Sequence, residues 1–113
     1  MHTKATAIDT AYEFTRALLV QGLKLDRAII FGSYVNGSPE PYSDIDIALV
    51  SPQFSGFGFE DRKLFARLNN RQPFINIETK TFPSEYFEQG DPFISEILRT
   101  GIEVYNSNTK TIS

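Results

Sequence analysis

Two aspartates, Asp44 and Asp46, lie in the apolar segment Asp-Ile-Asp-Ile-Ala-Leu-Val, and ten residues separate them from a Gly32-Ser33 pair. Residues two apart in a strand point to the same face, so both carboxylates are predicted to project side by side next to the Gly-Ser turn. Magnesium prefers oxygen ligands and typically engages one or two protein carboxylates plus the phosphates of a substrate. In a half-buried strand two like charges repel and are poorly solvated, and a bound divalent cation relieves both costs. Gly32 lets backbone N–H groups approach an anion, and Ser33 adds a hydroxyl donor. A helical segment after the turn would add the favourable end of its dipole.

A third acid would complete a two-metal site, and Glu78 is the candidate because it falls on the polar face of a later strand. Two cations about 3.5–4 Å apart can activate an attacking hydroxyl and stabilise the leaving oxygen of an in-line phosphoryl displacement. The corresponding reaction is nucleotidyl transfer from a nucleoside triphosphate, with pyrophosphate leaving. Each signal alone has an ordinary explanation: Gly-Ser as a turn, Asp-x-Asp as a solvated strand face, Glu78 as a surface residue. The joint arrangement is a long constrained pattern.

The elements that must position these residues can be read in order. Apolar residues Ile8, Ala11, Tyr12, Leu18 and Leu19 predict an amphipathic helix over 5–22, with Thr6 and Asp9 as a capping box and Gly22 as terminator. The segment 23–31, with Ala28-Ile29-Ile30-Phe31, predicts a strand buried on both faces and ended by Gly32. A helical turn or tight bend over 33–37 leads into an exposed loop and then a second strand over 42–51. In that strand Ile45, Ile47 and Leu49 oppose Asp44, Asp46 and Ala48. After a loop, Leu64, Phe65 and Leu68 predict a helix over 59–68, with Asp61 away from its apolar side. A third strand is expected over 74–82, setting Ile75 and Ile77 against Asn76, Glu78 and Lys80. A brief turn over 84–87 precedes Asp91-Pro92, which opens a short helix that ends at Gly101. The segment 102–105 adds a last strand, and the tail from Asn106 is expected to be loose. The order α-β-β-α-β-α-β in 113 residues makes one α+β domain, with a core of about 5–105 and a polar tail over 106–113.

Composition narrows the chemistry. With no cysteine, zinc-thiolate sites, disulfides and thiol nucleophiles are excluded, and a cytoplasmic location is expected. No apolar run approaches the roughly 18 residues of a membrane span. A net charge of −3 argues against direct nucleic-acid binding, which needs a clustered basic surface. The single histidine, His2, sits at the N-terminus, so any metal site must be built of oxygen.

Gly32-Ser33, ten residues, then Asp44-Ile45-Asp46 resembles the signature of the nucleotidyltransferase superfamily related to DNA polymerase beta. The small size is similar to the minimal nucleotidyltransferase (MNT) family, often encoded beside a HEPN-domain partner. The resemblance extends over roughly 5–105. It implies a nucleotidyltransferase fold, a small mixed sheet with helices packed on it. It also implies magnesium held by Asp44 and Asp46, with triphosphate contacts from Gly32 and Ser33. Characterised MNT antitoxins use ATP to adenylylate a tyrosine on a HEPN ribonuclease toxin, which makes an antitoxin of that kind the leading expectation.

Two departures from the family pattern stand out. Many relatives carry a basic residue shortly after Gly-Ser, where this chain has Tyr34-Val35-Asn36; Lys80 and Arg99 are candidates to supply the missing charge, although both read first as solvated surface residues. Glu78 also stands where an aspartate is common. The alternatives are an MNT-fold antitoxin that acts by binding alone and a nucleotidyltransferase for a small molecule, the latter weakened by the lack of room for an extra helical domain. Phe54, Phe57, Phe59, Phe82, Tyr86, Phe87 and Phe93 are many aromatics for so small a domain. Core packing is expected to absorb most, leaving some for a partner or a second copy.

Overall fold

The computed structural model describes residues 3–37, 44–108 and 111–112. A five-stranded sheet in the order β3-β2-β1-β4-β5 forms its centre. Helix α1 (Lys4–Val20) leads into β1 (Arg27–Phe31), α2 (Ser33–Asn36) and β2 (Ile45–Ser51). Next come α3 (Gly58–Arg62), α4 (Ala66–Asn69), β3 (Ile77–Pro83), α5 (Ser84–Gln89), α6 (Pro92–Thr100), β4 (Ile102–Asn106) and β5 (Thr111–Ile112). Strand β1 is antiparallel to both β2 and β4, whereas β2 and β3 are parallel. Parallel neighbours need a crossover, and α3 with α4 supplies it. The sheet is therefore mixed, as the α+β reading requires.

Both faces of the sheet are covered, which explains the unbroken apolar run of β1. On one face Ile30, Ile45, Ile47 and Leu49 pack with Phe14 and Leu18 of α1, Tyr34 of α2, and Phe65 and Leu68. On the other, Ile29, Ala48 and Val50 pack with Phe82, Phe87, Ile94 and Ile97 from β3, α5 and α6. Alternation along β2 thus sends odd and even residues into separate clusters, and Asp46 belongs to the even set.

Several boundaries move for identifiable reasons. The cap of α1 is Thr3 with Thr6, not Thr6 with Asp9: Thr3 N–H donates to Thr6 Oγ1 at 2.8 Å, and Thr6 N–H donates back to Thr3 Oγ1 at 3.2 Å. Gly22 terminates α1 as expected, at φ 101°, and lets Leu23 N–H reach Leu18 O and Gly22 N–H reach Leu19 O, both at 3.1 Å. Strand β1 starts at Arg27 rather than Leu23. The loop residues 38–43, and with them the expected start of β2 at Tyr42, lie outside the described residues.

The helix expected over 59–68 is two short helices. Phe65 leaves helical geometry, at φ −142° and ψ 19°, and packs edge-on against Phe14 and Phe54, while Leu64 turns outward. Asp61, expected away from the core, is only 3% exposed. Ile75 lies outside β3 and is exposed, because Asn69 Nδ2 donates to Phe74 O and Ile77 O and shapes the approach to the strand. Asp91 caps α6 by accepting from Ile94 N–H at 2.7 Å. The C-terminal segment is not uniformly loose, since Thr111 and Ile112 pair with Asn106 and Tyr105. Of the seven aromatics singled out, Phe54, Phe82 and Phe87 are buried, whereas Phe57, Phe59, Tyr86 and Phe93 are exposed; core packing takes fewer than expected.

Candidate active site

The end of β1, the start of β2 and the start of β3 meet at one corner of the sheet. Phe31 lies opposite Asp46 in the antiparallel pair, and Asp46 lies opposite Glu78 in the parallel pair. Two residues further from this corner, on the same face, Ile29, Ala48 and Lys80 form the next row. Gly32 follows Phe31 with φ 84°, a conformation that favours glycine, and its missing side chain leaves room for the Asp46 carboxylate. The chain then turns directly into α2, whose Tyr34 anchors it in the core.

The structure brings Gly32, Asp46 and Glu78 together across three strands. Asp44 stands one residue before β2, exposed, and close enough to act on Asp46 electrostatically. Ser33 is half-buried at the first position of α2. The Asp46 carboxyl is held above its ordinary value by burial first, then by the carboxylates of Glu78 and Asp44, with Lys80 opposing the shift. That balance is an excess of negative charge on adjacent strands.

Two basic residues were candidates for the charge absent after Gly-Ser. Lys80 is exposed on the site face and acts on Asp46. Arg99 is on α6 and pairs with Glu96 at 2.7 Å. The oxygen-only donor set and its uncompensated charge fit a hard divalent cation. Among the described residues no three acidic side chains stand close enough to form a complete cage. The fit is therefore to the mode in which one or two carboxylates act with substrate phosphates.

Asp61 was missed as a supporting residue. Its Oδ1 accepts from Ser55 N–H at 2.7 Å and from Ser55 Oγ at 2.9 Å, and its Oδ2 accepts from Gly56 N–H at 3.0 Å and Thr81 Oγ1 at 2.8 Å. It ties the loop after β2 to β3, the strand that carries Glu78. The available signal was Ser55-Gly56 six and five residues before an aspartate, next to a strand containing Thr79 and Thr81.

The mixed sheet with helices packed on it is a nucleotidyltransferase fold. Residues 15–103 match the family model described as a nucleotidyltransferase domain, and the chain belongs to that family. Similar solved structures share its fold at low identity. A Sulfolobus solfataricus protein assigned as a nucleotidyltransferase aligns at TM-score 0.69 and 15% identity, over 96% of this chain and 88% of the other. A toxin–antitoxin complex with AMP-PNP aligns at 0.57 and 18%, over 87% and 75%. A mutant of the toxin–antitoxin pair MntA-HpeT aligns at 0.55 and 15%, over 86% and 73%. No curated protein matches the sequence significantly. No helix among the described residues is long and apolar enough to cross a membrane.

Proposed function

We propose that the protein transfers a nucleoside monophosphate, AMP from ATP, to a hydroxyl on a protein partner, and that it serves as the antitoxin of a HEPN ribonuclease toxin. The observation that carries the reading is Gly32, just beyond the end of β1, set against the carboxylate of Asp46, which lies opposite Glu78 in the β2–β3 pair. Family membership supports the reaction class. Neighbours that are toxin–antitoxin complexes, one of them with AMP-PNP, support the partner and the donor.

In this reading Gly32 and Ser33 hold the phosphates through backbone N–H groups and the Ser33 hydroxyl. Asp44 and Asp46 would hold magnesium, with Glu78 at a second position. Bound there, magnesium would neutralise phosphate charge and favour ionisation of the acceptor hydroxyl. Glu78 accepts the acceptor's proton, and Lys80 moderates the charge of the carboxylates. Exposed Phe57 and Phe59, 74% and 71% accessible, offer apolar surface for the partner.

The test is transfer of label from α-labelled ATP to a co-expressed HEPN protein, with EDTA and the Asp44→Asn, Asp46→Asn double variant as controls. Label that requires magnesium and both aspartates supports the reading. Partner binding without label supports instead an antitoxin acting by binding alone. Label on a small hydroxyl compound but not on protein would move the acceptor class.

A further inference from the structure

A cavity of about 320 Å³ opens at the start of β3, the edge strand on the opposite side of Asp46 from Gly32 and Ser33. Asp44 and Glu78 line it, together with Arg62, Asn69 and Thr79, and Ile75 and Ile77 add apolar surface. The volume is at the small end of ligand sites and suits a single side chain.

The polar groups of this cavity are largely unspent. Arg62 is exposed and makes no ion pair among the described residues. Asn69 uses its amide N–H groups on Phe74 O at 3.0 Å and Ile77 O at 3.1 Å, which leaves its Oδ1 as an acceptor. Thr79 is 3% exposed, and its hydroxyl has no hydrogen-bond partner among the described residues. An unpaired buried hydroxyl is costly, and here no bond has to break for it to turn towards a ligand.

In an in-line displacement the attacking and leaving oxygens lie on opposite sides of the phosphorus. With the phosphates at Gly32 and Ser33, the leaving pyrophosphate is on the β1 side of Asp46, and attack comes from the β3 side. We propose that the cavity is the acceptor pocket, taking one hydroxyl-bearing side chain that Arg62, Asn69 and Thr79 orient towards Glu78. This rests on the nucleotidyl-transfer reading above. The acceptor O–H gives its proton to Glu78 as its oxygen bonds to the α-phosphorus. The bond from that phosphorus to the bridging oxygen breaks, and its electron pair leaves with pyrophosphate.

Amide NMR of the full chain tests the pocket without turnover. The probes are N-acetylserinamide and N-acetyltyrosinamide, with N-acetylalaninamide and N-acetylphenylalaninamide as counterparts lacking the hydroxyl. The expected result is saturable shifts at Arg62, Asn69 and Thr79 with at least one hydroxyl probe, and roughly tenfold weaker binding of its counterpart. Thr79→Val should remove much of that discrimination while the melting temperature holds, and exposed Arg62→Ala should weaken both probes. Shifts elsewhere, none at all, or equal binding of the paired probes would overturn the pocket. A separate titration with magnesium and a non-hydrolysable ATP analogue reads Gly32 and Ser33. Shifts there without pocket shifts overturn the pocket alone. Pocket shifts without any at Gly32 and Ser33 overturn the transfer reading, and the acceptor role falls with it.

Discussion

Gly32 and Asp46 occupy space that only one side chain can fill. A Cβ at residue 32 would run into Asp46 Oδ2 and stand 3.2 Å from its Cγ, and the backbone there is at φ 84°. Glycine is required twice over, by conformation and by contact. The consequence is a carboxylate set directly against the turn proposed to receive phosphates.

Gly32→Ala should therefore damage both fold and site. Strain at positive φ plus displacement of Asp46 is expected to cost about 2–3 kcal/mol. Urea unfolding would show it as a lower midpoint with an unchanged slope, and nucleotide transfer should fall at least tenfold. A variant of unchanged stability would mean that the turn relaxes freely.

Asp46→Asn should separate stability from activity. A carboxyl held above its ordinary value of 3.8 costs folding stability when ionised, so the metal-free protein should gain stability as pH falls through the raised folded value towards 3.8. The amide removes that cost at neutral pH. Discounted for solvent screening, the gain is under about 1 kcal/mol, or about 2–5 °C in Tm. Calorimetry should find the variant more stable without metal, and magnesium should raise the Tm of the wild type more than that of the variant. Transfer activity should be lost.

Asp61 should act in the opposite direction with pH. Burial alone would raise its carboxyl, but donation from Ser55 N–H, the Thr81 and Ser55 hydroxyls and Gly56 N–H outweighs this and holds it below 3.8. Its contribution is fully present above 3.8 and is lost as pH falls through the lowered folded value. Asp61→Ala leaves several donors unpaired, and a loss of about 2–4 kcal/mol is expected. The acid limb of the variant's stability profile should be flatter below 3.8 than that of the wild type.

Glu78→Gln tests the assignment of the base. If Glu78 takes the acceptor's proton, kcat should fall about 10²–10⁴-fold while KM for ATP stays within a few-fold. The side chain is exposed at the start of β3, so stability should barely change. An unaltered kcat would remove Glu78 from the chemistry.

The sequence alone determined the features that rest on local pattern. Strand, Gly-Ser, ten residues and Asp-x-Asp within an apolar run are contiguous, so Gly32, Asp46 and the family were legible. So were the Asp91 cap and the Gly22 terminator, which depend on residues within a turn of one another. The tertiary structure decided the rest because it depends on pairing between distant segments. Parallel pairing of β3 with β2 is what sets Glu78 opposite Asp46, and no periodicity states a register. Phe65 follows the aromatic core rather than the helical repeat, which splits the helix expected over 59–68. Asp61 reads as a surface residue of that helix until Ser55, Gly56 and Thr81 converge on it, since a buried carboxylate is tolerated only where its hydrogen bonds meet.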